Sequence, residues 1–332
     1  MTDEHFLIVL GSWADTGVGV NDILENLERL RQHDARAATR TSVVTLVVTA
    51  SSRDEANRAL EIVDQMGARH PARTLGLGVE PGAEEGHSRL DAEIRLQGSL
   101  AGGHPVWSDT IVLTAYGPLS QHLDSIVEPL ALPDLPIAVW YLATAPSSDD
   151  PVLHVADIVV VDTKELGARW ALAGVADVSQ LYTVLDLSWV RLQIWRELMA
   201  GLFEGDVLRP YVSNISTVEV RGKPAPRRLL SGWLSSRLNL TSDHLRTEDD
   251  QHVTIVINAQ ARSSTACFEV RRVPDQRLVE AVVSIDGSTY HREVLPLPDH
   301  SPSWALAEGL MHLEPDRVWE RALQAGIALE TA

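Results

Sequence analysis

Three groupings of residues in this chain are of types that do chemistry: glycine-rich turns, histidines and a run of arginines. Leu75–Gly82, LGLGVEPG, sets Gly76, Gly78 and Gly82 behind an apolar segment. A dinucleotide site needs G-x-G-x-x-G with a helix N-terminus directly behind it to hold the pyrophosphate. Here Pro81 and the polar AEEGHS follow, so the segment reads as a structural turn. The earlier GSWADTGVGV carries Gly11, Gly17 and Gly19 without a preceding βα order or a Lys for phosphate, and reads as a loop. The 12 histidines are scattered with no H-x-H or H-x-x-x-H pair, and Cys267 is the single cysteine. No local set therefore supplies the roughly four ligands that zinc takes. No G-x-S-x-G elbow is present, and Gly117-Pro-Leu-Ser120 does not replace one. A triad gathered from distant residues stays open as an alternative. No catalytic residue, metal or cofactor is assigned.

Arg36, Arg40, Arg53, Arg58, Arg69 and Arg73 concentrate positive charge in the first part of the chain. They are expected to be either solvated helix faces or an anion pocket for a sugar phosphate or a partner's carboxylates. Nine tryptophans outnumber three phenylalanines. Trp195 lies on an apolar helical stripe and is expected in the core. Trp140 and Tyr141 are neighbours at the end of a predicted strand, so their side chains point to opposite faces. One of the two is expected at the surface, where aromatics and Arg anchor interfaces. Cys267, in ACFEV, is expected to be a buried and unreactive thiol. One cysteine excludes an intramolecular disulfide.

The elements that must position these residues alternate. Asp22 with Glu25 suggests a capping box before a helix bearing Ile23, Leu27 and Leu30. Thr41–Thr49 is a continuous β-branched strand of the doubly buried kind. Ser52 with Glu55 starts a second helix that reaches Met66, and Ala72–Val79 closes a βαβ unit. Leu90, Ala92, Ile94 and Leu96 alternate with polar residues, as in an edge or antiparallel strand. Strands at Thr110–Tyr116, Ile137–Leu142 and Asp157–Val161 follow, with Pro118 opening a helix between the first two. A helix near Lys164–Ala173 and a long one over Ser188–Phe203 come next. Beyond it, a strand at Val212–Val220 and a helix at Pro226–Leu238 precede Val253–Asn258, Cys267–Arg271 and Leu278–Ile285. Those three strands are spaced like an antiparallel meander. Helices near Ser303–Leu313 and Asp316–Ile327 end the chain. The expected fold is mixed α/β and α+β in two lobes. One, residues 1–204, is a mixed sheet flanked by helices and ends in a bridging helix. The other, 205–332, is an antiparallel meander with helices.

Bulk properties narrow the class. The 332 residues carry 46 acidic against 28 basic side chains, a formal charge of −18. Such a field repels a phosphate polymer, so a nucleic-acid partner is not expected. No apolar run approaches the roughly 18 residues that span a bilayer. MTDEHFLIVLGSW lacks the basic start of a signal peptide, so a cytoplasmic protein without a membrane partner is expected.

Six blocks then carry a resemblance. They are RTSVVTLVV from Arg40, RLDAEIRL from Arg89, YGPL from Tyr116, SIVEPLALPDLPIAVWYL from Ser125, DLSWVRLQIWRELMAGLFE from Asp186 and LLSGWLSSRL from Leu229. In this order they resemble the OpcA family, accessory proteins that assemble or activate glucose-6-phosphate dehydrogenase. The resemblance implies a non-catalytic partner that binds that enzyme and raises its activity in the pentose phosphate pathway. Trp140, Tyr141, Trp189, Arg191, Arg196 and Trp233, all within matching blocks, become candidate partner-binding residues. The chain departs from the family in ending its apolar strand on Trp-Tyr rather than two tryptophans. The cysteine-based redox control associated with cyanobacterial members cannot arise within one chain from Cys267 alone. The rival expectation is a sugar-phosphate-binding enzyme or metabolite sensor, marked by arginines converging on a pocket beside a carboxylate or His.

Overall fold

The computed structural model describes residues 8–33, 42–80, 87–101, 104–142, 145–166 and 169–329. In chain order its elements are β1 (Ile8–Asp15), α1 (Val20–His33), β2 (Val44–Ala50), α2 (Arg53–Met66), β3 (Ala72–Glu80), β4 (Arg89–Ala101) and β5 (His104–Tyr116). Then come α3 (Leu123–Leu130), β6 (Ile137–Tyr141), β7 (Ile158–Val161), α4 (Thr163–Leu166), α5 (Arg169–Val178), β8 (Thr183–Asp186), α6 (Leu187–Arg191) and α7 (Gln193–Gly201). The rest are α8 (Arg209–Val212), β9 (Ile215–Gly222), α9 (Pro224–Leu238), β10 (Leu245–Asp249), β11 (Thr254–Ala261), β12 (Ser264–Arg272), β13 (Leu278–Ile285), β14 (Ser288–Pro296), α10 (Pro302–Gly309) and α11 (Arg317–Ala328). They form two compact units. One comprises Met1–Asp162, Asp177–Leu185 and Ser301–Pro315; the other comprises Thr163–Ala176, Asp186–His300 and Asp316–Ala332.

The first unit is built on an eight-stranded mixed sheet, in the order β1-β4-β5-β3-β2-β6-β7-β8. Strands β5, β3, β2, β6 and β7 run parallel, and β4 and β1 add antiparallel. The apolar runs of β2, β6 and β7 are buried almost throughout, as required of parallel strands covered on both faces. The alternating strand β4 is antiparallel, with β1 taking the edge outside it. Ser52 caps α2 by accepting from the Glu55 N–H at 3.2 Å. The Glu55 carboxylate in turn accepts from the Ser51 hydroxyl and from the Ser51 N–H, at 2.8 Å, one residue before the cap, and these two bonds hold it below the usual carboxylate range. The box expected at Asp22 lies three residues earlier. Helix α1 begins at Val20, and the Asp22 carboxylate reaches back to the Gly19 N–H at 2.8 Å.

The turn reading of Leu75–Gly82 is corrected for its described residues, and the loop reading of GSWADTGVGV holds for Gly17 and Gly19 but not for Gly11. Gly11 lies in β1, which leads through Gly17, at φ +67°, into α1. Gly76 and Gly78 lie inside β3, and Gly82 falls outside the described residues. A Cβ on Gly78 would stand 2.7 Å from the Arg53 nitrogen, and one on Gly76 3.0 Å from Leu60. These glycines let α2 lie close against the sheet, which is a packing role rather than a turn.

The second unit holds a six-stranded sheet, β10-β9-β11-β12-β13-β14. Its β11–β14 meander is antiparallel throughout, and only β10 pairs parallel, with β9. Asp286 and Gly287, at φ +47° and +80°, make the tight turn into β14. One sheet face is apolar and packs on α7, α8 and α9. Phe268 is fully buried there, with Phe203 and Tyr211 rings 4.3 and 6.1 Å away. The other face carries charge, including Glu280 between Arg271 and Arg292. The segment Ser188–Phe203 is two helices, not one. At Leu192 the backbone opens to ψ −1°, and the Trp189 carbonyl accepts from the Leu192 N–H and the Arg196 guanidinium. No Gly or Pro marks this break in the sequence.

Helices α9 and α11 cross at Gly232 and Gly326. A Cβ on Gly232 would lie 1.9 Å from the Ala322 carbonyl oxygen, a distance no side-chain shift relieves. Gly232→Ala is expected to cost about 3 kcal/mol or more. Gly201→Ala, with nothing within 4 Å at the exposed end of α7, is expected to be neutral or to stabilise by up to about 1 kcal/mol. Chemical denaturation of both variants checks the contrast.

Candidate functional site

Two aspartates, Asp186 buried and Asp316 half-buried, frame the site in the second unit. Asp186 caps α6 by accepting from the Ser188 N–H at 2.9 Å. The same carboxylate accepts from Thr163, through N–H at 3.2 Å and hydroxyl at 2.8 Å, and from the Trp319 indole N–H at 3.2 Å. Asp316 caps α11 by accepting from the Val318 and Trp319 N–H groups at 2.8 and 2.9 Å. Its second oxygen accepts from the Trp189 indole N–H at 2.7 Å. Each aspartate thus caps one helix and holds an indole from the other. The Ser188 hydroxyl accepts from the Lys164 N–H at 2.7 Å and ties α4 to the start of α6.

Above this frame lies a cavity of about 430 Å³. Its floor is Ser188, Arg191, Leu192 and Trp195, all buried on the α6–α7 elbow. Lys164, Arg272, Val253, Leu297 and His300 line it half-buried, and Lys223, Gln251 and His252 stand exposed. The Arg191 Nε–H donates to the His300 carbonyl at 2.9 Å, which orients the guanidinium. The His300 ring packs on Trp195 with centroids 5.5 Å apart. Burial, together with Arg191, Lys164 and Arg272, pushes the His300 imidazole down to about 4 against the opposing pull of Asp299. It is neutral at physiological pH.

The six sequence-predicted residues divide between the units. Trp140 and Tyr141 end β6 in the first and are both buried, at 1% and 3% exposure. The expected exposure of one of them is therefore corrected: β6 lies between β2 and β7 and is covered on both faces. The Tyr141 hydroxyl donates to Asp150 at 2.9 Å, and burial with Asp150 pushes its pKa upward. Trp189 and Arg191 on α6, Arg196 on α7 and Trp233 on α9 belong to the second unit. Trp189, Arg191 and Trp233 are buried, whereas Arg196 is half-buried. Its guanidinium lies 3.5 Å over the Trp189 ring, and burial lowers its pKa to about 10 despite Asp316 and Glu197. Trp195 is in the core, as expected.

The early arginines do not gather into a pocket among the described residues. Arg73 is buried against Asp109 on the neighbouring strand, at 3.1 Å, together with Arg31. Arg53 pairs with Glu93 at 2.9 Å, and Arg58 and Arg69 are exposed. Arg36 and Arg40 lie outside the described residues. Cys267 is half-buried, and burial with Glu269 pushes its thiol up, opposite to an activated nucleophile. The basic cavity itself went unseen in the sequence, because Lys164, Arg191, Lys223, Arg272 and His300 share no local spacing.

The fold defines an α/β protein of two units, one of which carries a cation-lined cavity on a helix elbow. The family described as glucose-6-phosphate dehydrogenase subunit N-terminal domain matches residues 63–176, and the C-terminal domain description matches residues 182–323. The chain belongs to the OpcA family. Proteins named OpcA, of the OxPP cycle, are similar to it: 27% identical over 192 residues in Synechocystis sp. and 26% over 186 residues in Nostoc punctiforme. The first alignment spans 54% of this chain and 40% of the relative, and the second 53% and 40%. Among solved structures, a super-repressor mutant of Gal80p from Saccharomyces cerevisiae aligns over 88% of this chain and 95% of its own, at 6% identity and a TM-score of 0.38.

Asp186→Ala strips acceptors from a buried indole and a helix start, and is expected to cost about 3–5 kcal/mol. Asp186→Asn keeps one acceptor and is expected to lose less; urea unfolding compares them. His300 supplies a pH signature. Its folded pKa lies below the unfolded value of 6.5, so the unfolded chain takes up the proton first. Its share of stability is complete above pH 6.5 and is lost as pH falls toward about 4. Stability measured across that window is expected to slope less in His300→Gln than in the parent.

Proposed function

We propose that this protein is a non-catalytic assembly factor and allosteric activator of glucose-6-phosphate dehydrogenase, acting by protein–protein contact in the cytoplasm. The observation that carries the reading is the paired match: both subunit-domain descriptions for that enzyme fall on this chain, in order. The names of the cyanobacterial relatives add the OxPP cycle. No helix among the described residues is long and apolar enough to cross a membrane. An activator must bind the active form of its enzyme better than the inactive one. A tenfold shift in that balance takes about 1.4 kcal/mol of differential affinity, within reach of a single anchor.

For the contact we propose the α6–α7 elbow, with Arg196 as the side chain that reaches the partner. Its partial exposure and its seat on the Trp189 ring support this reading. Trp189, Arg191 and Trp233, with Trp140 and Tyr141 in the other unit, then act by holding the presenting surfaces in shape. Arg is a frequent interface anchor because a flat guanidinium carries both charge and stacking area.

The test titrates the purified chain into the glucose-6-phosphate dehydrogenase of the same organism while NADPH formation is followed. A saturable rise in rate, together with co-elution, is expected. Arg196→Ala should weaken the half-saturation point about tenfold or more, the scale of a lost anchor, while the isolated variant melts as a folded protein. An unchanged rate with no co-elution overturns the proposal.

A further inference from the structure

The cavity on the α6–α7 elbow has a chemistry that protein contact does not account for. Four cationic side chains line it, Lys164, Arg191, Lys223 and Arg272, and no Asp or Glu is among its lining residues. This occurs in a chain with 46 acidic against 28 basic residues, where an all-cationic cavity departs from the surrounding field. The guanidinium of Arg191 sits on the buried floor and is oriented through its Nε–H by the His300 carbonyl. Burying a guanidinium is costly unless it is well compensated, so its position at a cavity floor is a marked feature. Burial first, and then Arg191, Lys164 and Arg272 against Asp299, keep the His300 imidazole beside them neutral.

We propose that this cavity binds a small phosphate monoester. Lys164 is paired with Glu165 at 3.2 Å, and the two guanidiniums with Lys223 still exceed what a single carboxylate neutralises. They suit a dianion whose oxygens can accept forked Arg bonds and Lys donors together. The remaining wall is apolar and aromatic, with Leu192, Trp195, Val253 and Leu297 available to an organic body. A volume of about 430 Å³ lies in the range of small-molecule sites, roughly 300–1,000 Å³. The graded exposure of the cations, from buried Arg191 to exposed Lys223, draws an anion inward to the oriented group.

The test uses the full chain alone, without the dehydrogenase, so its outcome is independent of the activation experiment. Phenyl phosphate and inorganic phosphate are titrated calorimetrically at constant ionic strength, with phenol as the uncharged control. One-to-one saturable binding of phenyl phosphate is expected, tighter than inorganic phosphate, with no saturable heat from phenol. Lys223→Glu, at an exposed rim position, should weaken phenyl phosphate at least about tenfold, or about 1.4 kcal/mol. Arg209→Glu makes the same charge change at an exposed residue outside the cavity lining and should leave binding unaltered. Lack of saturable binding overturns the proposal. So does an equal loss in both variants, which would mark general charge attraction, or unchanged binding in Lys223→Glu.

Discussion

The second unit depends on a reciprocal exchange between two aspartates and two tryptophans. Asp186 caps α6 and accepts from the indole of Trp319 on α11, and Asp316 caps α11 and accepts from the indole of Trp189 on α6. Charge-assisted bonds to helix-start N–H groups are among the stronger hydrogen bonds, because the macrodipole and the carboxylate reinforce each other. Each large aromatic is thereby fixed by its polar end while its body is buried. Losing one carboxylate would release both a helix start and an indole, so the four residues act as one device.

Everything at the candidate site is referred to that frame. Trp189, held by Asp316, offers its ring to Arg196, and the Trp189 carbonyl takes up the same guanidinium where the helix breaks at Leu192. The break turns Arg191 and Trp195 toward one cavity and leaves Arg196 half-exposed. The elbow thus places Arg196 and the basic cavity on the same two short helices. Occupancy of the cavity and presentation of Arg196 would draw on the same short helices, which is the geometry that coupling between two sites needs.

A second constraint is close approach. Gly232 and Gly326 let α9 and α11 touch backbone to backbone, and Gly78 does the same for the start of α2 against β3, while Gly76 makes room for the Leu60 side chain. In both units the helices lie nearer than a methyl group would permit. Trp319, which makes the Asp186 contact, is carried on the α11 helix that Gly326 sets in place.

Much of the fold was legible along the chain. The β-branched run of β2, the Ser52 cap, the alternation of β4 and the spacing of β11 to β13 are local signals, and local chemistry decides them. Strand β14 escaped notice because it is exposed along nearly its whole length and so lacks alternation, although Asp286-Gly287 announces a hairpin. The resemblance in six ordered blocks was legible as well, and it pointed to the family. The site was not. Period and composition place Trp140 and Tyr141 on a strand, but only the sheet order, with β6 between β2 and β7, puts both inside. The early arginines look like a cluster in one dimension and disperse in three, to Asp109, to Glu93 and to solvent. The cavity cations come from separate elements and meet only after folding. The sequence by itself determined the kinds of element, their order and the family, because those rest on neighbouring residues. The tertiary structure alone decided which aromatics are core, where the helix breaks and where positive charge converges, because those rest on contacts between residues far apart in the chain.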